Sequence, residues 1–250
     1  MPDLAALLQA VVDAPGDDAP REAYARAVAA SDPDRAEFIE LQLATARANR
    51  AHTRTSPDAT NRQVVLRRQH GDAWAADIRP LVSGCQFLRG FVEVVTLDAA
   101  RFLATAPELY RRAPVLHLNL TAVAPVAAEL FASPHLARIQ SLSMLHNGLG
   151  DAEVAALAGS PHLGNLAWLE LSNNKIGAAG IEALAASANL PRLRYVGLAT
   201  NAAPDPTPKH ADEYDATSPA AEQLQRAYGP RAWLDAHPRW TWPPPRDAVD

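Results

Sequence analysis

The sequence predicts an α/β protein in which a short solenoid, with parallel strands inside and helices outside, follows a small all-α domain. Two observations lead to this prediction. Between residues 136 and 201 the same pattern of leucines and one asparagine returns at a constant interval. Residues 3–48 instead carry apolar side chains at helical spacing, in three short segments separated by Pro- and Asp-containing breaks. The chain therefore begins with helices that each bury one apolar face. Repeats follow, and each of them must stack on the next to bury its apolar face.

The N-terminal segments are predicted to be helices. Residues 3–14 place leucines and valines on one stripe, and the Pro-Gly pair that follows should end this helix. Asp17 and Asp18 are N-cap candidates for a second helix, and Asp32 can cap a third. Asp17, Asp18 and Arg21 could also suggest a site, but capping and a local ion pair explain them more simply.

The middle of the chain changes from helical to strand character. Residues 47–63 are polar without a clear period, which indicates a loop or a frayed helix end. Residues 64–78 form a further helical region that a proline should end. FVEVVTL, residues 91–97, is β-branched and compact, so we predict a strand there, a candidate for a degenerate first copy of the repeat. A helical segment and a second strand, VLHLNL, come next.

Three segments follow the pattern L-x-x-L-x-x-L-x-L-x-x-N. Their central apolar positions, Leu142, Leu169 and Val196, are equally spaced along the chain and define a 27-residue period. We place an earlier copy at Leu116 and Leu118, with Leu116 aligned to Leu142 and Thr121 at the asparagine position. In such a unit the L-x-L pair faces inward from a short strand. The asparagine side chain bonds backbone groups at the turn that leaves the strand.

This pattern resembles the leucine-rich-repeat signature, and the length of its period resembles the ribonuclease-inhibitor type, which has a full helix on the outer side. The N-terminal part resembles a bacterial repeat-companion domain that precedes such repeats. That resemblance rests on these residues: Asp18, Pro20, Arg21, Tyr24, Arg35, Glu37, Phe38, Ile39 and Gln42. It departs at Arg26-Ala27, where the family usually has an acid and a tryptophan. It implies no biochemical activity.

The resemblances imply three parts of the chain. Residues 1–84 form the helical companion domain, and residues 85–202 form the leucine-rich-repeat solenoid. Residues 203–250 hold a loop, a cap helix with one or more of three tryptophans, and a Pro-rich tail. The tail is either flexible or a polyproline segment that other proteins bind. The three tryptophans are Trp233, Trp240 and Trp242.

Aligning the repeats predicts which side chains line the concave face, because side chains alternate along a strand. The first predicted row is Val115, Ser141, Trp168 and Tyr195. The second is His117, Ser143, Glu170 and Gly197, and the third is Asn119, Leu145, Ser172 and Ala199. An exposed Trp–Tyr pair on a sheet face is typical of an interface. Cover by the C-terminal tail, or an unused surface, are the alternatives.

We therefore expect a monomeric protein- or peptide-binding module and not an enzyme. The predicted contact residues are Trp168, Tyr195, Glu170, His117, Leu145, Ser143 and Ser172. His117, Ser143 and Glu170 in one row invite a triad interpretation, but serine would occupy the middle position that histidine must hold. Two alternatives stay open: an enzyme with a site in a groove between the helical domain and the repeats, and a structural subunit of a larger assembly.

Composition excludes several other classes. A net charge of −5 argues against nucleic-acid binding, and the single cysteine, Cys85, excludes an internal disulfide framework. We see neither a signal peptide nor an apolar run of membrane-spanning length, and expect a cytoplasmic protein. The excess of Arg over Lys, with many Ala and Pro, is typical of high-GC bacteria. We expect no cofactor and no metal, although HADEYD offers four candidate ligands: His210, Asp212, Glu213 and Asp215.

Overall fold

The computed structural model describes residues 3–207 and 218–235. These residues form a mixed α/β fold with ten α-helices and a six-stranded, mostly parallel sheet. The strands are β1 (Gly84–Leu88), β2 (Phe91–Asp98), β3 (His117–Thr121), β4 (Ser141–Ser143), β5 (Trp168–Glu170) and β6 (Tyr195–Gly197). The helices are α1 (Leu4–Asp13), α2 (Ala19–Val28), α3 (Pro33–Arg50), α4 (Pro57–Trp74), α5 (Ala99–Arg112), α6 (Ala127–Phe131), α7 (Asp151–Ala158), α8 (Ala178–Ala186), α9 (Pro219–Tyr228) and α10 (Ala232–Asp235).

The described residues divide into two compact units. The first holds residues 3–96 and 105–116, and the second holds residues 97–104, 117–207 and 218–235.

Helices α1 to α4 of the first unit pack in sequence order, each against the next. The predicted caps are partly found: Asp32 Oδ1 accepts a hydrogen bond from the Arg35 amide at 3.0 Å, whereas Asp18 makes no side-chain cap. The polar stretch 47–63 is not one loop, because α3 continues to Arg50 and α4 begins at Pro57. Ser56 caps α4 and proline occupies its first turn, which is a helix start that the polar composition concealed.

Strand β2 contains the predicted strand FVEVVTL, but its partner in this unit is β1, with which it forms an antiparallel hairpin. The two connecting residues, Arg89 and Gly90, have φ values of +49° and +86°. Two consecutive left-handed residues are the geometry of the tight turn that suits a twisted hairpin. Phe91, the first residue of β2, belongs to the same apolar cluster as Val11, Ala25 and Ile39. The core of the helices therefore extends beyond residue 84 into the hairpin.

In the second unit β3 to β6 pair as consecutive parallel strands. The intervening helices α6, α7 and α8 also contact one another in order. Leu142 and Leu169 are fully buried on the inner side, and Leu118 and Val196 lie beside them in register. Because side chains alternate along a strand, the residues on either side of these four positions face the other way.

Helix α9 follows the strands and packs against α8, and α10 contacts β6. Trp233 in α10 is 2% exposed, and Arg231 donates a hydrogen bond from Nε to the Ala185 carbonyl at 2.6 Å. These contacts cover α8 and β6, the last helix and strand of the repeated part, in the way that an end cap does. Trp240 and Trp242 lie outside the described residues.

Candidate binding surface

The strand register aligns outward side chains into columns. His117, Ser141, Trp168 and Tyr195 form the first column. Asn119, Ser143, Glu170 and Gly197 form the second. Continuing the alternation, Thr121, Leu145, Ser172 and Ala199 form the third. We call these three columns the strand face.

The register corrects one sequence prediction. The three later strands follow the predicted period, but Leu118, and not Leu116, pairs with Leu142, so the first interval is shorter than predicted. His117 therefore lies beside Ser141 and not Ser143, and Val115 is not on the strand face. The alignment failed at this copy because no asparagine marks its turn, and Val123 occupies the position that asparagine has elsewhere.

The asparagines of the later copies form a ladder at the turns. Asn174 Oδ1 accepts hydrogen bonds from the amides of Asn147, at 2.9 Å, and Leu149, at 3.1 Å. Its Nδ2 donates to the carbonyls of Met144 and Leu171 at 3.0 and 2.8 Å. One side chain thus satisfies backbone groups of its own turn and of the preceding one, where strand pairing has ended. This role agrees with the one predicted for the asparagine of the repeat.

In each copy of the repeat, the residue before the asparagine position (Val123 in the first copy) has a left-handed backbone. Ala122, His146, Asn173 and Thr200 have φ between +52° and +58°. An identical conformation in non-glycine residues at four successive copies shows that the turn geometry repeats although its sequence does not. Hydrogen bonds from the neighbouring asparagines offset the steric cost of these conformations.

Trp168 and Tyr195 are paired on neighbouring strands, and their rings stack. Their ring centroids are 4.8 Å apart and the planes differ by 17°. Trp168 is only 4% exposed, whereas Tyr195 is half-buried. The prediction of an exposed aromatic pair is therefore wrong for Trp168, which supports the tyrosine ring from beneath. Cover by the C-terminal tail concerns residues outside the described part of the chain.

Glu170 is held next to this stack by two neutral donors. Its Oε1 accepts a hydrogen bond from the Ser172 amide at 2.7 Å, and its Oε2 accepts one from the Tyr195 hydroxyl at 3.3 Å. The carboxylate lies over Gly197, where any Cβ would overlap it. Burial, with the carboxylates of Glu170 and Asp205 adding to it, raises the pKa of Tyr195 well above its usual range. Sequence reasoning missed Asp205 because it lies in the Pro-rich segment beyond the repeats.

The other predicted contact residues differ in accessibility. Leu145, in the turn two residues beyond β4, is 41% exposed, which makes it the most accessible of the seven. Ser143, Ser172 and His117 are buried. Three predicted residues thus offer surface to a partner, namely Leu145, Tyr195 and Glu170. Trp168 stacks on Tyr195, and the Ser172 amide bonds Glu170.

A serine and a histidine do meet, but in a buried place. His117 Nδ1 is hydrogen-bonded to Ser141 Oγ, and Ser141 has no exposed surface. A nucleophile must reach its substrate, so this pair does not form a catalytic centre in this conformation. The sequence-based triad of His117, Ser143 and Glu170 is not assembled, because the register separates His117 from the column of the other two.

Asp18 and Arg21 make ion pairs with residues far away in the sequence. Arg21 is completely buried and pairs with Glu93 Oε1 at 3.0 Å. Arg89 pairs with the other Glu93 oxygen at 2.8 Å and with Asp18 at 3.3 Å. Burial alone would lower the pKa of Arg89, but Glu93 and Asp18 outweigh burial and the pKa is raised. These residues hold the hairpin turn against the helices.

Two further residues of the companion-domain pattern contact the same hairpin. The Gln42 side chain accepts a hydrogen bond from the Gly90 amide at 2.8 Å and donates one to the Phe87 carbonyl at 3.4 Å. The Arg35 guanidinium lies over the rings of Trp74 and Phe91, 4.8 and 5.0 Å from their centroids. Burial lowers the pKa of Arg35 to about 10. Four residues of the pattern, Asp18, Arg21, Arg35 and Gln42, thus contact the hairpin within this unit.

A groove of about 450 Å³ lies between α8, residues 203–206 and α9 in the second unit. Its described lining is mostly apolar, with Ile181, Leu224 and Tyr228 among the larger side chains and Glu182 as the one charged residue among those described. Within this described lining no nucleophile and general base converge.

Metal ligation gains no support among residues 3–207 and 218–235, where no three His, Cys, Asp or Glu side chains cluster. The HADEYD candidates lie outside that range. Cys85 is a free, partly buried thiol whose pKa is raised by burial, the opposite of the shift that activates a thiolate. No helix in the described part of the chain has the length and apolarity to cross a membrane.

Comparison of the chain with protein-family models, curated proteins and solved structures finds no match.

Proposed function

We propose that the second unit is a short leucine-rich-repeat solenoid preceded by a repeat-companion domain, and that the chain binds a protein or peptide on its strand face. The recurring register of the later strands, the asparagine ladder and the repeated turn conformation support the solenoid interpretation. In a solenoid of this kind the strands line the concave side, where extended partners bind. We place this activity in the cytoplasm and in a monomer.

The main support for the binding proposal is that three accessible side chains lie at or next to the stacked rings. Leu145 offers exposed apolar surface, Tyr195 a supported aromatic ring, and Glu170 a carboxylate. A rigid aromatic group loses little conformational entropy on binding, and polar groups around it favour one orientation of the partner. Since fold alone does not define function, the proposal depends on these residues.

The test is a pull-down with the purified full chain from a lysate of the source organism. The comparison is wild type against Leu145→Asp/Tyr195→Asp. Leu145 is exposed and Tyr195 is half-buried, so circular dichroism and the melting temperature are used to verify that the double variant keeps its fold. Trp168 is avoided because replacing a buried tryptophan would unfold the region.

A matched control places the same charges elsewhere. Val64 and Val65 in α4 are 46% and 43% exposed, so Val64→Asp/Val65→Asp adds two carboxylates to the first unit without touching the strand face. A partner retained by wild type and by the control but lost by the strand-face variant supports the proposal. Partners that all three proteins retain would contradict it.

A further inference from the structure

One formal charge stands on an otherwise neutral face. Within the three columns of the strand face, Glu170 is the only acidic side chain, and there is no lysine or arginine. His117 is buried against Ser141. The formal charge within these three columns is therefore one carboxylate at a defined position.

Two hydrogen bonds orient the carboxylate, and no lysine or arginine of the described part of the chain pairs with it. Its hydrogen bonds within the described residues come from a backbone amide and a phenol, both uncharged. Two bonds leave further lone pairs of the two oxygens available. Gly197 lets the carboxylate lie flat beside the tyrosine, since a side chain there would displace it.

Tyr195 places an aromatic ring beside this charge. Trp168 supports one face of the ring, and the phenol oxygen lies 3.3 Å from Glu170 Oε2. A guanidinium or ammonium group next to both would pair with the carboxylate and contact the ring. An anionic group would meet Glu170, and also Asp205, whose charge already acts on Tyr195.

We propose that the partner on the strand face is a peptide segment with an arginine or lysine side chain that pairs with Glu170 beside Tyr195. An apolar residue of the same segment contacts Leu145, which is two positions beyond the neighbour of Glu170 in the adjacent strand. Diagonal neighbours of this kind on a sheet are roughly 7–8 Å apart, so two nearby side chains of one extended peptide can contact Glu170 and Leu145 together. This inference rests on the proposed function and adds the charge of the ligand.

The test uses a phage-displayed library of random dodecapeptides selected on the immobilised full chain. We expect enrichment of peptides with arginine or lysine at one fixed distance from an apolar residue. A synthetic copy of a selected peptide should bind Glu170→Gln about tenfold more weakly than wild type, which corresponds to about 1.4 kcal/mol. Its affinity for wild type should also fall as salt is added, because salt screens a partly exposed pair.

Glu170→Gln has nearly the same shape, its amide oxygen can still accept a hydrogen bond from the Ser172 amide, and its amide nitrogen can donate one to the Tyr195 hydroxyl, so its fold should persist. Glu182→Gln removes an exposed carboxylate from α8 in the same unit and is the control for net charge. If Glu170→Gln does not fold, the salt dependence of wild-type binding and the residue preferences of the selected peptides still decide the matter.

The outcomes separate the two proposals. Peptides that need Leu145 and Tyr195 but lack basic residues, or bind Glu170→Gln as well as wild type, would overturn the charge inference and leave strand-face binding intact. No selected peptide, or peptides indifferent to Leu145→Asp/Tyr195→Asp, would overturn both. Basic peptides lost with Glu170→Gln but kept by Glu182→Gln would support both.

Discussion

The Arg21 guanidinium and the Glu93 carboxylate form an ion pair of 3.0 Å in which the two side chains are 0% and 1% exposed. The pair joins helix α2 to strand β2, and Arg89 binds the second oxygen of the same carboxylate. Charges leave water only at a high cost, so both must stay paired once buried. Arg21 and Arg89 also donate to the Pro15 carbonyl, which ties the α1–α2 connection to the same point.

Replacing Glu93 by glutamine should destabilise the first unit strongly. Two buried guanidinium groups would lose their common counter-charge, and removing one partner of a buried pair costs about 3–5 kcal/mol. Chemical denaturation of the full chain measures the effect. The control is Glu22→Gln: Glu22 pairs with Arg47 and Arg26 at the surface, and its loss should cost less than about 1 kcal/mol. Equal losses of unfolding free energy in the two variants would mean that the buried ion pair stabilises the protein no more than the surface pairs do.

Gly90→Ala should destabilise the hairpin turn through both its backbone and its side chain. Its φ of +86° disfavours any Cβ, and the added carbon would lie 2.5 Å from Ile39 Cγ1 and 2.8 Å from Ile39 Cα. Strain and overpacking together predict a loss of about 3 kcal/mol or more in the free energy of unfolding.

Gly148→Ala is the matched control for that variant. Gly148 also has a positive φ, +69°, but an added Cβ would meet nothing within 4 Å. Only the strain of a left-handed backbone at alanine remains, so the expected loss in the free energy of unfolding is about 1–2 kcal/mol. The difference between the two variants, measured by denaturant titration, isolates the close approach to Ile39. A Gly90→Ala protein no less stable than Gly148→Ala would disprove that approach.

The sequence predicts elements well wherever a local pattern is repeated. Three asparagines at constant spacing predict the pairing of β4, β5 and β6, because register follows directly from the period. The first copy has Val123 in place of asparagine, so nothing local marks its turn, and its shorter interval depends on packing. A one-residue slip would reverse the faces, but a two-residue slip keeps leucines inside, and sequence alone does not distinguish the two.

Long-range contacts explain the other differences. The pairing of Arg21 with Glu93 joins distant residues, and a local pair was the simpler expectation at the sequence level. Strand β1 escaped prediction because its ladder depends on the Arg89-Gly90 turn. The burial of Trp168 depends on its neighbours in space, whereas its position on the strand face follows from alternation.

Asn174→Ala should cost more stability than most single asparagine replacements in this chain. The replacement removes Oδ1, which accepts hydrogen bonds from two backbone amides, and Nδ2, which donates to three backbone carbonyls. These backbone groups lie at the turns, where few alternative partners are available. Buried backbone groups left without partners cost about 1–3 kcal/mol each, so we expect a total loss of at least about 2 kcal/mol. Asn165, which is exposed and donates only to the Ala137 carbonyl, is the control, with an expected loss under about 1 kcal/mol. Comparable melting temperatures for the two variants would contradict the role of the ladder.

Tyr195 should remain protonated at a pH where an ordinary tyrosine ionises. Burial and the carboxylates of Glu170 and Asp205 raise its pKa, whereas in the unfolded chain it returns to about 10. Below pH 10 the phenol is neutral in both states and its stabilising contribution is complete. Above pH 10 only the unfolded state gains by ionising, so that contribution is lost as pH rises towards the folded pKa. The absorbance of tyrosinate at 295 nm, followed from pH 8 to 12, should therefore be nearly the same in folded wild type and in Tyr195→Phe, because Tyr195 stays protonated over this range. Wild-type stability should fall more steeply over pH 10–11 than that of the variant. An ordinary midpoint for every tyrosine of the folded protein would mean that the ring is more hydrated, and Glu170 farther from it, than the stacked arrangement requires.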